Sequence, residues 1–365
     1  MVRSGEAPGT VHGRRDMNIL TVLDGVRGPV SLPWGMAAVL LISILLFVHR
    51  GGLDERHGEG IAWIPLQSHN LDPGALYARD DVQESEQQIF ARLSLPEGEG
   101  PFPAAVLLHG SLGFSALQRS YADALNDSGY VVLSVDSFSG RDVVDVVGHQ
   151  EAVSIESMVA DAFAALRLLK SHPKVDGNAI GLLGWSKGGS AALAAGRTVF
   201  RQMLSGEGDR FSSIAALYPW CGARERVMRR DDVPVLYVLA GQDDWVSADA
   251  CADVLAEMAT LGLRARVAIY DEAEHGFDAP GTHRVFLPRG RSWRGCHYAS
   301  DAQGFTLVST GERKQWSEID DYLKACTRPG VHVATNARDR TKAKKRVLQF
   351  MNFTNGIDPA TNGSS

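Results

Sequence analysis

The sequence predicts an α/β fold, with a mostly parallel central sheet flanked by helices. Three observations carry this expectation. Short apolar runs alternate with helical stretches between residues 104 and 270, the signature of parallel strands joined by crossover helices. One of these runs, Ile180 to Leu183, ends in Gly184-Trp185-Ser186-Lys187-Gly188 and passes without a break into a small-residue helix, Ser190 to Gly196. Asp243 and His275 follow directly on the ends of two later runs, where open α/β sheets carry their functional groups.

Composition narrows the possibilities. At 365 residues the chain has room for one large α/β domain with extensions. Its 44% hydrophobic and 22% charged residues are ordinary for a globular protein. A net charge of −6 gives no whole-chain reason to expect nucleic acid as a partner. The histidines are scattered, with no H-x-x-x-H and no paired C-x-x-C, so no metal site is indicated. Cys221, Cys251, Cys296 and Cys326 all lie in the second half of the chain. Their even number is compatible with two disulfides in any of three connectivities, or with four free thiols.

Taken in order, residues 1–27 form a mildly basic, unstructured segment. Gly28 to Val48 carries no charge. Its dense part, Met36 to Val48, has the length of a signal-peptide core, and adding Leu32-Pro33-Trp34 brings it to spanning length. His49-Arg50 follows without a small-x-small cleavage pattern, which favours a retained membrane anchor over a cleaved leader. More arginines precede the segment than follow it, so the positive-inside rule places the main domain outside the cytoplasm. A soluble exported domain is the alternative. Residues 49–86 read as a polar linker broken by Gly51-Gly52 and Asp72-Pro73-Gly74.

The main domain is expected over residues 87–326. Residues 88–95 alternate as an outer strand, and Ala104 to Leu108 is the first buried strand, followed by the loop His109-Gly110-Ser111-Leu112-Gly113. Ser115 to Asp127 is a helix, Tyr130 to Val135 a strand, and Ala152 to Lys170 a long amphipathic helix. After the Ile180 strand come strands at Ser213 to Leu217, Val233 to Leu239 and Arg264 to Tyr270, with a helix at Ala248 to Leu261. Residues 279–309 read as irregular, and Glu312 to Ala325 as a closing helix. Residues 327–365 are basic and read as a disordered tail.

A strand, then G-x-S-x-G, then a helix is the context of a nucleophile elbow. The serine must stand exposed on a sharp, strained turn. The helix start then aims free N–H groups at developing negative charge. A serine hydroxyl needs a base, and the base needs an orienting carboxylate. His275 and Asp243 supply these in the chain order Ser, Asp, His, with Asp244 the competitor for the acid and Glu272 and Glu274 read as solvated. Two N–H donors are needed for an oxyanion. Lys187 offers one and Ser111 the other, with Leu112 as the fallback; the Lys187 side chain is expected in solvent.

Gly184-Trp185-Ser186-Lys187-Gly188-Gly189, Gly241-Gln242-Asp243-Asp244-Trp245-Val246 and Glu274-His275-Gly276-Phe277 together resemble the dienelactone hydrolase family of α/β-hydrolases. LLHGSLGF and VDSFSGR at two strand ends do so too, and the resemblance covers residues 88–326. It implies an α/β-hydrolase fold and a carboxylic-ester hydrolase that forms an acyl-enzyme, takes a small-molecule ester and needs no cofactor. The family's founding members use a cysteine where Ser186 stands, and a glutamate near the position of Gly110. They also hold a substrate carboxylate with two arginines. Arg141 is the candidate for the first, with Trp185 a further substrate contact. At the second place stands Phe277-Asp278-Ala279-Pro280, whose acid would repel a carboxylate, so a neutral ester is expected. The resemblance further implies a Cys221–Cys251 bridge, leaving Cys296 with Cys326. A peptidase or thioesterase would share the same residues, and a catalytically idle binding module would share the fold.

Overall fold

Eight strands form the central sheet of the computed structural model, which describes residues 61–71, 85–205, 208–225, 230–281, 283–301 and 303–357. In spatial order they are β1 (Ile61–Asn70), β2 (Ser85–Ser94), β4 (Val131–Asp136), β3 (Phe102–Leu108), β5 (Val175–Trp185), β6 (Ser213–Leu217), β8 (Val235–Ala240) and β9 (Ala265–Tyr270). From β4 to β9 every pair is parallel; β1–β2 and β2–β4 are antiparallel. The alternating run of strand and helix expected from the sequence is present, and the strands lengthen or shift by a few residues at their ends.

Side-chain alternation explains why the central strands are apolar throughout. Val106 and Leu108 of β3 face one buried layer, and Ala105 and Leu107 face the other. The first layer is covered by α2 (Ile155–Ser171), α3 (Lys187–Ala195), α4 (Thr198–Leu204) and α5 (Ala248–Thr260). The second is covered by α1 (Ala116–Asp127) and α7 (Ala337–Thr354). Each fully buried large side chain, Leu107 or Leu182 for example, contributes about 1.5–3 kcal/mol. Helix starts are set locally. Ser115 caps α1 and, with Gln118, closes a capping box; Ser154 caps α2 by accepting from the Ser157 N–H.

Three sequence expectations are corrected. Within the linker assigned to residues 49–86, Ile61–Asn70 form β1, paired along its whole length with β2. Its Pro65 argues against a strand in general, but β1 lies at the sheet edge, where a missing N–H costs nothing. The stretch 279–309 is not irregular. It contains β10 (Arg284–Ser292), β11 (Tyr298–Asp301) and β12 (Gly304–Leu307). β11 and β12 join β7 (Ala223–Glu225) and β13 (Arg313–Lys314) in a small second sheet, and β10 pairs with β14 (Arg328–Ala334).

The third correction concerns the basic tail. Residues 328–354 form β14 and α7, so the folded domain does not end at residue 326. Ala343, Val347, Phe350 and Met351 of α7 are buried at helical spacing against the sheet, while Arg338, Lys342, Lys345 and Arg346 stay exposed. The closing helix is shorter than expected, α6 (Ile319–Cys326) after a single 3₁₀ turn at Trp316–Glu318.

Cys221 is bonded to Cys251, and Cys296 to Cys326, as the resemblance implied. The segments 1–27 and 28–48 lie outside the described residues; among those described, no helix is long and apolar enough to cross a membrane.

Candidate active site

β5 delivers Ser186 to the start of α3 with φ 52° and ψ −117°, a conformation that L-residues rarely adopt. The turn is that tight because glycines surround it. A Cβ on Gly184 would lie 2.1 Å from the Gly188 carbonyl oxygen, and one on Gly188 would lie 2.4 Å from the carbonyls of Leu108, the last residue of β3, and His109, the first of the loop after it. The Ser186 N–H donates to Leu217 O at 2.8 Å, which ties the elbow to the end of β6.

Asp243 follows β8 and His275 follows β9, and the structure brings both to Ser186. His275 Nε2 lies 2.9 Å from Ser186 Oγ, and His275 Nδ1 lies 2.7 Å from Asp243 Oδ2. The second Asp243 oxygen accepts the N–H groups of Trp245 and Val246, each at 2.9 Å. Asp243 and His275 are almost fully buried. The imidazole packs against the rings of Tyr218 and Trp245, with centroids 4.7 and 4.9 Å away. An acid at Nδ1 favours the tautomer whose Nε2 can accept from a serine hydroxyl.

The competing acids are placed elsewhere. Asp244 accepts from the backbone N–H of His332 at 2.8 Å and faces its Nδ1 at 2.7 Å. Glu274 pairs with Arg284, and Glu272 is exposed.

Lys187 is the first residue of α3, where backbone N–H groups have no partner within the helix. Ser111 lies in the loop after β3, which runs against the nucleophile: a Cβ on Gly110 would sit 3.2 Å from Ser186 Cβ. Buried His109 pins that loop, accepting the Ser137 N–H at Nε2, with Nδ1 2.9 Å from Gly110 O. Burial holds this imidazole below its ordinary pKa, which favours the neutral ring that these bonds require.

The Lys187 side chain is not in solvent. It is buried, and its Nζ donates to Gln150 O at 2.8 Å. Loss of hydration lowers its pKa to about 8, against the opposing pull of Glu156 and Glu151.

Arg141 is not available as a substrate clamp. Its guanidinium grips Asp161 through two bonds of 2.8 and 2.9 Å, and donates further to Asn70 Oδ1, Ser137 O and His69 O. Those contacts clamp β1 and the turn after β4 onto α2. Trp185 is fully buried rather than presented to substrate, with its indole N–H donating to Asp278 at 3.0 Å. Asp278 does not face the site either. It is buried and accepts from Trp185, Tyr121 and Tyr218, the hydroxyls at 2.8 and 2.6 Å. Burial raises its pKa, and the three donors oppose that. The repulsion expected of this acid is therefore absent. Of the residues packed around His275 and Asp244, Trp245 stands within the Gly241–Val246 stretch that the sequence marks, whereas His332 stands in no motif.

The arrangement can activate a hydroxyl for attack on an electrophilic carbonyl, with backbone N–H groups close by. The sequence model of the dienelactone hydrolase family matches residues 89–324. The fold is similar to the crystal structure of a dienelactone hydrolase-like promiscuous phosphotriesterase from metagenomic libraries. That match has a TM-score of 0.51 and 17% identity, and covers 81% of this chain and 99% of that one. A stretch of 138 residues is 36% identical to acyl-coenzyme A thioesterase 2, mitochondrial, of Mus musculus, covering 38% of this chain and 27% of that protein. The chain thus matches under a third of that thioesterase's length. A separate alignment over 216 residues is 23% identical to a probable 2-oxo-3-(5-oxofuran-2-ylidene)propanoate lactonase of Bradyrhizobium sp, covering 54% of this chain and 82% of that protein.

Proposed function

Because this chain belongs to the dienelactone hydrolase family of hydrolases, we propose that it hydrolyses carboxylic esters through an acyl-enzyme on Ser186. The observation that carries this reading is the unbroken hydrogen-bonded run from Ser186 Oγ through His275 to Asp243. Ser186 Oγ attacks the ester carbonyl as His275 Nε2 takes its proton. The imidazolium then returns the proton to the leaving alcohol. Water repeats the sequence on the acyl-enzyme and releases the acid. Asp243 holds the imidazole and stabilises its charged form. The N–H groups of Lys187 and Ser111 hold the tetrahedral oxyanion.

A neutral ester suits the site, since the donors of Arg141 are occupied by Asp161, Asn70 and two carbonyls. A fluorophosphonate probe tests the nucleophile: wild type becomes labelled and Ser186→Ala does not. Equal labelling of both would sink the assignment. An idle binding module would leave both unlabelled.

A thioester is the second reading, favoured by the thioesterase-like stretch. Paired oxygen and sulfur esters of the same acid separate the two, and p-nitrophenyl esters against peptides exclude a peptidase.

We also propose that the domain works outside the cytoplasm, attached through residues 28–48 or released after cleavage. All four cysteines are paired, which suits an oxidising compartment. Protease treatment of intact cells tests this, and protection of the chain beyond Arg50 would overturn it.

A further inference from the structure

We propose that Gln150 is a positioning residue that sets the two oxyanion donors at Ser111 and Lys187 in register with one another. The inference rests on the acyl-enzyme reading above. Gln150 opens a single 3₁₀ turn, Gln150–Ala152, on the segment that joins β4 to α2. It belongs to neither of the elements that carry the donors, yet it touches both. Its side-chain amide bonds Ser111 Oγ, with Nε2 at 3.0 Å and Oε1 at 3.2 Å. Its backbone carbonyl accepts from Lys187 Nζ at 2.8 Å. Four residues earlier on the same segment, the Val146 N–H donates to Ser111 O at 2.9 Å. The loop after β3 and the start of α3 are therefore tied to one short piece of chain.

The physical need for such a tie is specific. The Lys187 amide is fixed by its helix. The Ser111 amide sits in a loop that turns through Gly113 at φ 79° and exposes Leu112. Oxyanion donors work when they are already in place as charge develops, because moving them during the reaction would consume the stabilisation they give. A displacement of about 1 Å costs on the order of 10²-fold. Gln150 holds Ser111 by its side chain while the Val146 N–H holds it by its backbone carbonyl, so the Ser111 peptide is fixed by two contacts from one segment.

The contact can be opened from either side without touching a reacting atom. Gln150→Ala removes the amide but keeps the carbonyl that holds Lys187. Ser111→Ala removes Oγ but keeps the oxyanion N–H. Each is expected to lower kcat on a p-nitrophenyl ester about 10-fold with KM changed less than twofold, as an imperfectly placed donor would. The double variant should lose no more than either single one, since the same contact is broken. Affinity for an alkyl boronic acid, which forms a tetrahedral adduct on the serine, should fall by the same factor as kcat. A role confined to folding would lower the active fraction and leave that affinity alone. Additive losses, or unchanged kcat in Gln150→Ala, would overturn the positioning role while fluorophosphonate labelling of wild type keeps the nucleophile. An unlabelled wild type overturns the acyl-enzyme reading itself, and this inference with it.

Discussion

His332 and Asp244 are joined twice, through the His332 backbone N–H at 2.8 Å and its Nδ1 at 2.7 Å, one residue away from the acid that faces His275. The same strand, β14, donates Ala334 N–H to His275 O at 3.1 Å, and the chain beyond it donates Asn336 N–H to Phe277 O at 2.8 Å. Segments following residue 327 thus brace both loops that meet Ser186.

A chain ended at Cys326 should therefore lose more than a tail. It discards β14 and the buried Val347, Phe350 and Met351, each worth about 1.5–3 kcal/mol. The total approaches the whole stability of a typical domain. Circular dichroism should show an unfolded or aggregated product. His332→Ala, which keeps the backbone bond, should lower stability by only about 1 kcal/mol in urea titration.

Asp243→Asn should fold normally and fail chemically. Its Oδ1 can still accept the Trp245 and Val246 N–H groups, but an amide facing His275 favours the wrong imidazole tautomer. Turnover of p-nitrophenyl acetate is expected to fall on the order of 10⁴-fold with an unchanged melting temperature.

Lys187 gives the enzyme a pH dependence with a definite sign. Its folded pKa, about 8, lies below the 10.5 of a free lysine. Between those values the unfolded chain holds a proton that the folded one lacks, so stability rises with pH across that window. Below about 8 both states are protonated and the cost of burying the ammonium is fully present. Lys187→Met should flatten the melting temperature across that window.

Reduction should destabilise the domain without abolishing its architecture. Each disulfide links residues 30 apart, worth about 3–4 kcal/mol in the chain-entropy account. Cys221–Cys251 ties the turn after β6 to α5, and Cys296–Cys326 ties the β10–β11 connection to α6. Differential scanning calorimetry with and without dithiothreitol should show a fall in melting temperature. Cys296→Ser with Cys326→Ser should reproduce part of it.

What the sequence made legible was local. The apolar runs of β3, β4, β5, β6 and β8 announce themselves because strands buried on both faces need no alternation, and the half-exposed edge strand β9 still carries an apolar run of its own. Ser186, Asp243 and His275 are legible because each follows such a run. The misread parts depend on distant partners. The breakers Gly51-Gly52 and Asp72-Pro73-Gly74 on either side hid an edge strand that its pairing with β2 reveals, and the charges of α7 masked the apolar spacing of Ala343, Val347 and Met351. Arg141 and Trp185 bear residue types that suit substrate contacts, but Asp161 and Asp278, distant in the chain, claim their donors. Lys187 looked solvent-bound because nothing near it in sequence tells of the Gln150 carbonyl.

Asp278 has a consequence for how such a site can diversify. One carboxylate takes the indole of Trp185, the neighbour of Ser186, and the hydroxyl of Tyr218, the ring packed on His275. Nucleophile and base therefore share a single mooring. A substitution at this position would displace both at once, so laboratory evolution of this chain toward new substrates should leave residue 278 fixed and gather its changes among the exposed loop residues, Leu112 first among them.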